Sequence, residues 1–368
     1  MDLNEADVTP GARQVIGRVL LNGTEVPFSS FYVDSNSFYS ADTFSATFPL
    51  TGMPEPMNTV LWWSQQTAIE VTISVGLIDQ ASVNWKTLII GGVDKPVVSM
   101  SRFEVTVDGR DYTSKLIDTK TSEKFSNYTT SQVANMLAAR HGLTPVVTPT
   151  TTSVGAITKF DHTHINDERS EWDLISYFAG MDGFQTYVVG NELHYEPALD
   201  PATTDQYLIR WVPPGELAYP MCNTTEGLDV ERDLTLAKGV TVSVRSWKGG
   251  KAYTETYPNS SAKGIAPGNA TPKRQVYSVV RSGLDRQAAQ QLAQKLHKQI
   301  TDHEMRIGCS LPGDNILMPN TIIRVEGTNS DFDQLYYADS VRRSLSFESG
   351  YTMSVTAKNH NPNSMVLP

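Results

Sequence analysis

The chain has 368 residues, 39% of them hydrophobic and 19% charged, with a formal net charge of −10. This is the composition of a globular protein with material for two or three cores. It excludes a basic nucleic-acid binder, which needs cationic groups to replace phosphate counterions. No apolar run reaches the roughly 20 residues that span a bilayer. Met1 to Pro10 is acidic and polar, so neither a leader peptide nor stable membrane insertion is expected.

The first hundred residues read as strands. Val15, Val19 and Leu21 run into Asn22-Gly23, a two-residue hairpin signal. Phe44, Ala46 and Phe48 take every second position, as do Ile69, Val71, Ile73, Val75 and Leu77. That alternation gives one buried and one exposed face, as in an antiparallel sheet. Val98 and Met100 share one parity while Phe103, Val105 and Val107 share the other, which places a bulge or tight bend near Ser101-Arg102. The strand is expected to end in a turn at Asp108-Gly109-Arg110-Asp111. There Gly109 would take a positive φ, and Arg110 and Asp111 would tie the following segment to the first half or to a neighbour.

An α/β segment follows. Thr129 with Gln132 forms a capping-box pair, and Val133, Met136 and Leu137 make a helical stripe that stops at Gly142. Ser170 with Asp173 opens a second helix, with Trp172, Ile175 and Phe178 inward and Gly183 beyond its end. Phe184 to Val189 and Glu192 to Tyr195 pair across Gly190-Asn191, and the Thr- and Pro-rich stretch from Thr144 to Ala156 reads as a loop. A second β-rich half begins near Leu228. Val240, Val242 and Val244 alternate, and Lys248 to Lys273 reads as a long exposed loop. Ser282 with Asp285 caps a third helix whose inner line is Leu284, Ala288, Leu292, Leu296 and Ile300. Strands return at Ile322 to Val325, Leu335 to Ala338 and Tyr351 to Thr356, and 359–368 reads as a flexible tail. The two halves share a plan but no residue-level repeat.

Candidate chemistry is sparse. His162 and His164 share one strand face beside Asp161, with His141 or His194 as distant helpers; solvated histidines explain them more simply than a metal. Glu168, Glu171 and Asp173 could supply a hydrolase with two carboxylates, but acidic groups also favour a helix N-terminus. Trp62, Trp63 or Trp247 could stack on a sugar, although adjacent Trp62 and Trp63 on a strand would face opposite ways. Cys222 and Cys309 lie far apart without metal-ligand spacing, so two buried thiols are expected, with a disulfide as the alternative. No catalytic, cofactor-binding or metal residue is assigned, and no cofactor is expected. The Arg342-Arg343 pair is too short to count as a basic patch.

The run VTVDGRDYTSKLIDTKT, then TTSQVANMLAARHGLTPVV, then SEWDLISYFAGMDGFQTYVVGNELHYEP resembles the baseplate hub proteins of contractile phage tails, the late control D family. The same order of elements occurs in the hub part of type VI secretion spike proteins. SADTFSATFPL, LPGDNILMPNTIIRVEGT and YYADSVRRSLSFESGYTMSVTAKN are similar to flanking strands of that family. The resemblance implies a mainly β fold: two tail-tube-like antiparallel β-barrels plus an inserted α/β domain. The boundaries that follow are 1–112 for the first barrel, completed by 202–235, 113–201 for the insertion, and 236–358 for the second barrel with helix 283–303. It further implies a non-enzymatic homotrimer that adapts a hexameric tail tube protein to a trimeric spike. Other baseplate proteins and the tape measure protein would be further partners. DNA would pass through the channel without specific binding, in a virion tail assembled in the host cytoplasm. A tail-associated peptidoglycan hydrolase is the alternative.

Overall fold

The computed structural model describes residues 14–37, 40–79, 82–121, 123, 125, 128–154, 169–198, 204–213, 223–224, 227–237, 239–258, 275–301, 304–319 and 321–359. The first half is built from β1 (Gln14–Leu21), β2 (Thr24–Val26), β3 (Ser30–Asn36), β4 (Thr43–Pro49), β5 (Glu70–Asp79), β6 (Ser82–Ser99) and β7 (Glu104–Asp111). A short helix, α1 (Val60–Gln65), lies between β4 and β5. The middle segment holds α2 (Thr113–Asp118), β8 (Lys120–Thr121), β9 (Tyr128–Thr129), α3 (Thr130–Arg140), β10 (Thr144–Val147) and β11 (Ser153–Val154). It continues with β12 (Arg169–Ser170), α4 (Glu171–Asp182), β13 (Phe184–Val189) and β14 (Glu192–Pro197). The second half begins with β15 (Gln206–Trp211), β16 (Asn223–Thr224), β17 (Leu228–Arg232) and α5 (Leu234–Ala237). Next come β18 (Val240–Lys248), β19 (Lys251–Tyr257), β20 (Gln275–Val280) and α6 (Arg286–Thr301). Four strands close it: β21 (Met305–Pro312), β22 (Ile322–Glu326), β23 (Leu335–Ser346) and β24 (Gly350–Asn359).

The alternating positions do what their period dictates. Val19, Leu21, Phe44, Ala46, Phe48, Val71, Ile73 and Val75 fill the first core, and Asn22 and Gly23 both take positive φ in the β1–β2 turn. Both capping boxes form, at Thr129 with Gln132 and at Ser170 with Asp173, and Gly183 ends α4 at φ 72°. The middle segment packs α3 and α4 on the β10–β14–β13 sheet around Leu137, Ile175, Phe178 and Tyr195.

Several expectations change. β7 runs straight through Asp111, so no turn forms at 108–111, and Gly109 takes no positive φ. It is needed for space: an added Cβ would sit 2.2 Å from Gly92 O and 2.5 Å from Phe44 Cζ. Near Ser101 the chain reverses into the β6–β7 hairpin, which explains the parity switch; the bulge lies earlier, between Val93 and Lys95. Thr144–Val147 is a parallel partner of β14 and Ser153–Val154 pairs with β9, so that stretch is partly strand. Lys251–Tyr257 likewise pairs with β18 instead of forming a loop. Asp285, not Ser282, caps α6 by accepting from the Ala288 amide at 3.0 Å. Leu284, Leu292, Leu296 and Ile300 of the expected inner line pack against the core under α6, and Ala289, Ala293 and His297 beside them are buried more deeply. β15 pairs with β22 and its Tyr207 and Ile209 join the second core, so 206–211 does not complete the first barrel. β18, β19 and β20 form a separate three-stranded layer under α6 with a core of its own. Asp161, His162, His164, Glu168, Cys222, 259–274 and 360–368 lie outside the described residues. Cys309 is buried in the second core.

The two main cores share one 14-stranded sheet, and its order repeats. The first half reads β2-β1-β5-β6-β7-β4-β3 across the sheet, and the second reads β16-β15-β22-β23-β24-β21-β17. Each strand of one list occupies the same place in chain order as its counterpart. Ladder directions agree from β5 to β3 and from β22 to β17; they differ where β15 lies parallel to its neighbours. The repeat reaches single residues. The bulged Asp94 of β6 pairs with Arg110 of β7 at 2.7 Å, and the bulged Asp339 of β23 pairs with Lys358 of β24 at 2.9 Å.

Candidate functional site: the joint between the modules and the seat of the insertion

The two modules meet edge to edge. Ser340–Ser346 of β23 pair antiparallel with Asn36–Ser30 of β3, and the Ser37 amide extends the ladder to Asp339 O at 2.7 Å. Arg342 lies opposite Asp34 and over the Tyr32 ring at 4.0 Å. Its neighbour Arg343 points inward and is buried. The Arg343 guanidinium donates to Asp314 O at 2.8 Å and to Leu317 O, with the Asp314 carboxylate 4.0 Å away. Asp314 in turn accepts from the Tyr207 hydroxyl at 2.5 Å and from the Ile316 and Leu317 amides. A buried cation surrounded by acceptors is the arrangement that offsets its desolvation. The same loop reaches the first module, where Asn315 Nδ2 donates to Val75 O at 3.0 Å. Tyr351 packs in the first core and donates to Asp314 O, and a Cβ on Gly313 would collide with its ring. The 313–319 loop is therefore a staple across the joint.

The insertion is seated by the residues after the β6 bulge. Arg110 forks onto Asp94 at 2.7 and 2.9 Å and onto Asp118 of α2 at 2.9 and 3.1 Å, joining β7, β6 and the insertion. Asp111 accepts from the Thr113 amide and hydroxyl at 3.1 and 2.9 Å, starting α2. The sequence expectation that this pair ties the insertion to the barrel holds, in a continuous strand. A cavity of about 230 Å³ opens beside it, lined by Asp42, Asp111, Trp172, Tyr187, Glu196 and Met318 among others. Burial pushes the Asp42 carboxyl up to about 6, partly countered by the Asn36 amide it accepts at 2.8 Å. Burial and then the charge of Asp42 hold Asp111 well above the usual carboxylate range.

Among the described residues of the insertion, Glu171, Asp173 and Asp182 are committed to structure. Glu171 is fully buried, bound by Arg140 and by His141 Nε2 at 2.5 Å. Asp173 serves the capping box, and Asp182 accepts from Thr130 and Tyr195 hydroxyls at 2.6 Å each. A glycosidase needs carboxylates that reach a sugar; Glu171 has no such access. His194 stacks on Tyr187, and no three His, Cys, Asp or Glu gather around one point among the described residues. Trp62 and Trp63 lie on α1, not on a strand; Trp63 is buried and Trp62 packs edge-on against it. Trp247 is exposed on β18.

Sequence reasoning missed the staple and the paired bulges. Arg342-Arg343 is too small a signal for a basic patch, and alternation across a strand sends one to solvent and the other inward. Asp94 and Arg110 are separated by a different span from Asp339 and Lys358 because the β23–β24 ladder runs two pairs further than the β6–β7 ladder, which hides the repeat.

The architecture is that of phage tail proteins: a mainly β chain with an inserted α/β segment. No protein-family model and no curated protein matches the sequence. Among solved structures, a tail protein from Neisseria meningitidis MC58 superimposes with a TM-score of 0.69 at 16% identity, covering 94% of this chain and 96% of its own. The 43 kDa tail protein of prophage MuSo2 from Shewanella oneidensis gives 0.67 at 13% identity, covering 96% and 98%. An Escherichia coli component of the type VI secretion system, described as structurally similar to the T4 tail proteins gp27 and gp5, gives 0.53 at 11% identity, covering 95% and 79%. The chain shares their fold.

Proposed function

We propose that this chain is the structural hub of a phage tail baseplate, a homotrimeric ring that adapts a hexameric tail tube to a trimeric central spike and lets DNA pass. The repeated strand order carries this reading. Two copies of one module joined edge to edge in a chain allow three chains to present six near-equivalent modules, while the whole keeps closed threefold symmetry. The insertion follows β7, and among the described residues no such segment follows β24, its counterpart, so it would repeat three times and suit a threefold partner. Other baseplate proteins and the tape measure protein are further expected partners, with the virion tail as location and the host cytoplasm as site of assembly. A net charge of −10 favours passage of DNA without adhesion. The burial of Glu171 supports a non-catalytic role over peptidoglycan hydrolysis.

The test is the mass of the particle in solution, alone and with its tube and spike proteins, together with its outline by negative-stain imaging. A threefold ring with a central pore is expected. A persistent monomer in the presence of both partners would overturn the proposal.

A further inference from the structure

We infer that the ring closes through a second copy of the joint already present inside the chain: β17 of a neighbouring subunit adds to the free edge of β6 at Lys95–Ser99, with Met100 and Phe103 as anchors. This rests on the trimeric reading and names its interface.

The internal joint is the template. The bulges and their partners set the correspondence, Asp94 with Asp339 and Arg110 with Lys358. Counting along the ladders, Lys95 then matches Ser340, Val97 matches Arg342, Met100 matches Leu345 and Phe103 matches Tyr351. Thr43 pairs with Arg110 and Arg306 pairs with Lys358, so β4 maps onto β21. Asp34 pairs with Thr43 and Glu231 with Arg306, so β3 maps onto β17, with Val33 matching Val230. At the internal joint the edge of β23 past β22 is filled by β3. The corresponding edge of β6, past the end of its pairing with β5 at Gly92, has no strand beside it among the described residues. Among the described residues β17 pairs with β21 alone.

Exposure follows the same rule. Val33 is 1% exposed and its counterpart Val230 39%. Tyr351 is 8% exposed and Phe103 57%. Leu345 is partly buried against the first core, whereas Met100 is 62% exposed. Each residue is covered where the joint exists and bare where a neighbour would supply it. Phe103 also holds φ 54°, a region that strains a bulky residue and is kept where function requires it. In the closed joint Lys95 lies opposite Asp233 and Val98 opposite Val230, so charge and apolar surface both match. Pro96 offers no N–H; it costs the ladder a bond and guards the edge against indiscriminate pairing.

Two variants test this by light scattering and non-reducing electrophoresis on the full chain. Val97→Cys with Glu231→Cys should give a reducible ladder ending at a covalent trimer, while either single variant gives none. Phe103→Asp with Met100→Asp should weaken association at least ~30-fold, as loss of a buried anchor does, with an unchanged circular dichroism spectrum. Val276→Asp, equally exposed but on β20, should leave the trimer intact. A wild-type trimer that neither cross-links nor responds to the Phe103 variant overturns this interface and leaves the hub reading standing. A monomeric wild type beside its tube and spike proteins removes both.

Discussion

Arg343→Met isolates the staple between the modules. Methionine keeps much of the stem but deletes the guanidinium, so Asp314 O and Leu317 O lose their donor and the Asp314 carboxylate loses the cation 4.0 Å away. A buried acceptor left unmade costs about 1–3 kcal/mol, and removing one member of a buried charged pair about 3–5 kcal/mol. These overlap, so a net loss of ~4 kcal/mol is expected. For modules of this size each kcal/mol lowers a melting midpoint by about 2–4 °C, giving a drop of roughly 8–16 °C by calorimetry. Hydrogen exchange should show where the loss falls: amides of Ser30–Asn36 and Ser340–Ser346 should lose protection together, because the loop also holds Asn315 on Val75 O. A midpoint within ~2 °C of wild type, or lost protection confined to β23 and β24, refutes the staple.

Gly109→Ala should destabilise by ~3 kcal/mol through its clash with Gly92 O and the Phe44 ring. Gly109→Asn should be no better tolerated in urea unfolding; an acceptable Asn with a poor Ala would restore the positive-φ reading. Glu171→Gln removes the charge that Arg140 and His141 share and should cost about 2 kcal/mol without changing any cell-wall clearing in a zymogram. A clear wild-type band abolished by this substitution would make the chain a hydrolase. Asp42 has its folded pKa raised to about 6, so its favourable contribution is present below about pH 4 and is lost as pH rises through 6. Asp42→Asn should therefore be more stable than wild type by ~3 kcal/mol at pH 8 and close to it at pH 4; equal stabilities at both pH values would contradict the burial argument.

Local periodicity settled the elements that depend on neighbours in sequence. Alternation at Phe44 to Phe48 and Ile69 to Leu77, the two capping boxes, and the Asn22-Gly23 and Gly190-Asn191 turns all read correctly, because each is decided by contacts a few residues long. The α6 stripe also read correctly at Leu292, Leu296 and Ile300, but not the deeper Ala289, Ala293 and His297 beside it, which face a sheet whose third strand lies in a Gly- and Pro-rich stretch. The 108–111 segment misled because glycine signals both a positive φ and a lack of space, and only the neighbouring strands, through Gly92 O and the Phe44 ring, distinguish them. The matched bulges, the buried Arg343 staple and the bare edge of β6 join residues far apart in the chain. Strand pairing across the sheet creates them, and a pairing partner has no periodicity by which a sequence could announce it.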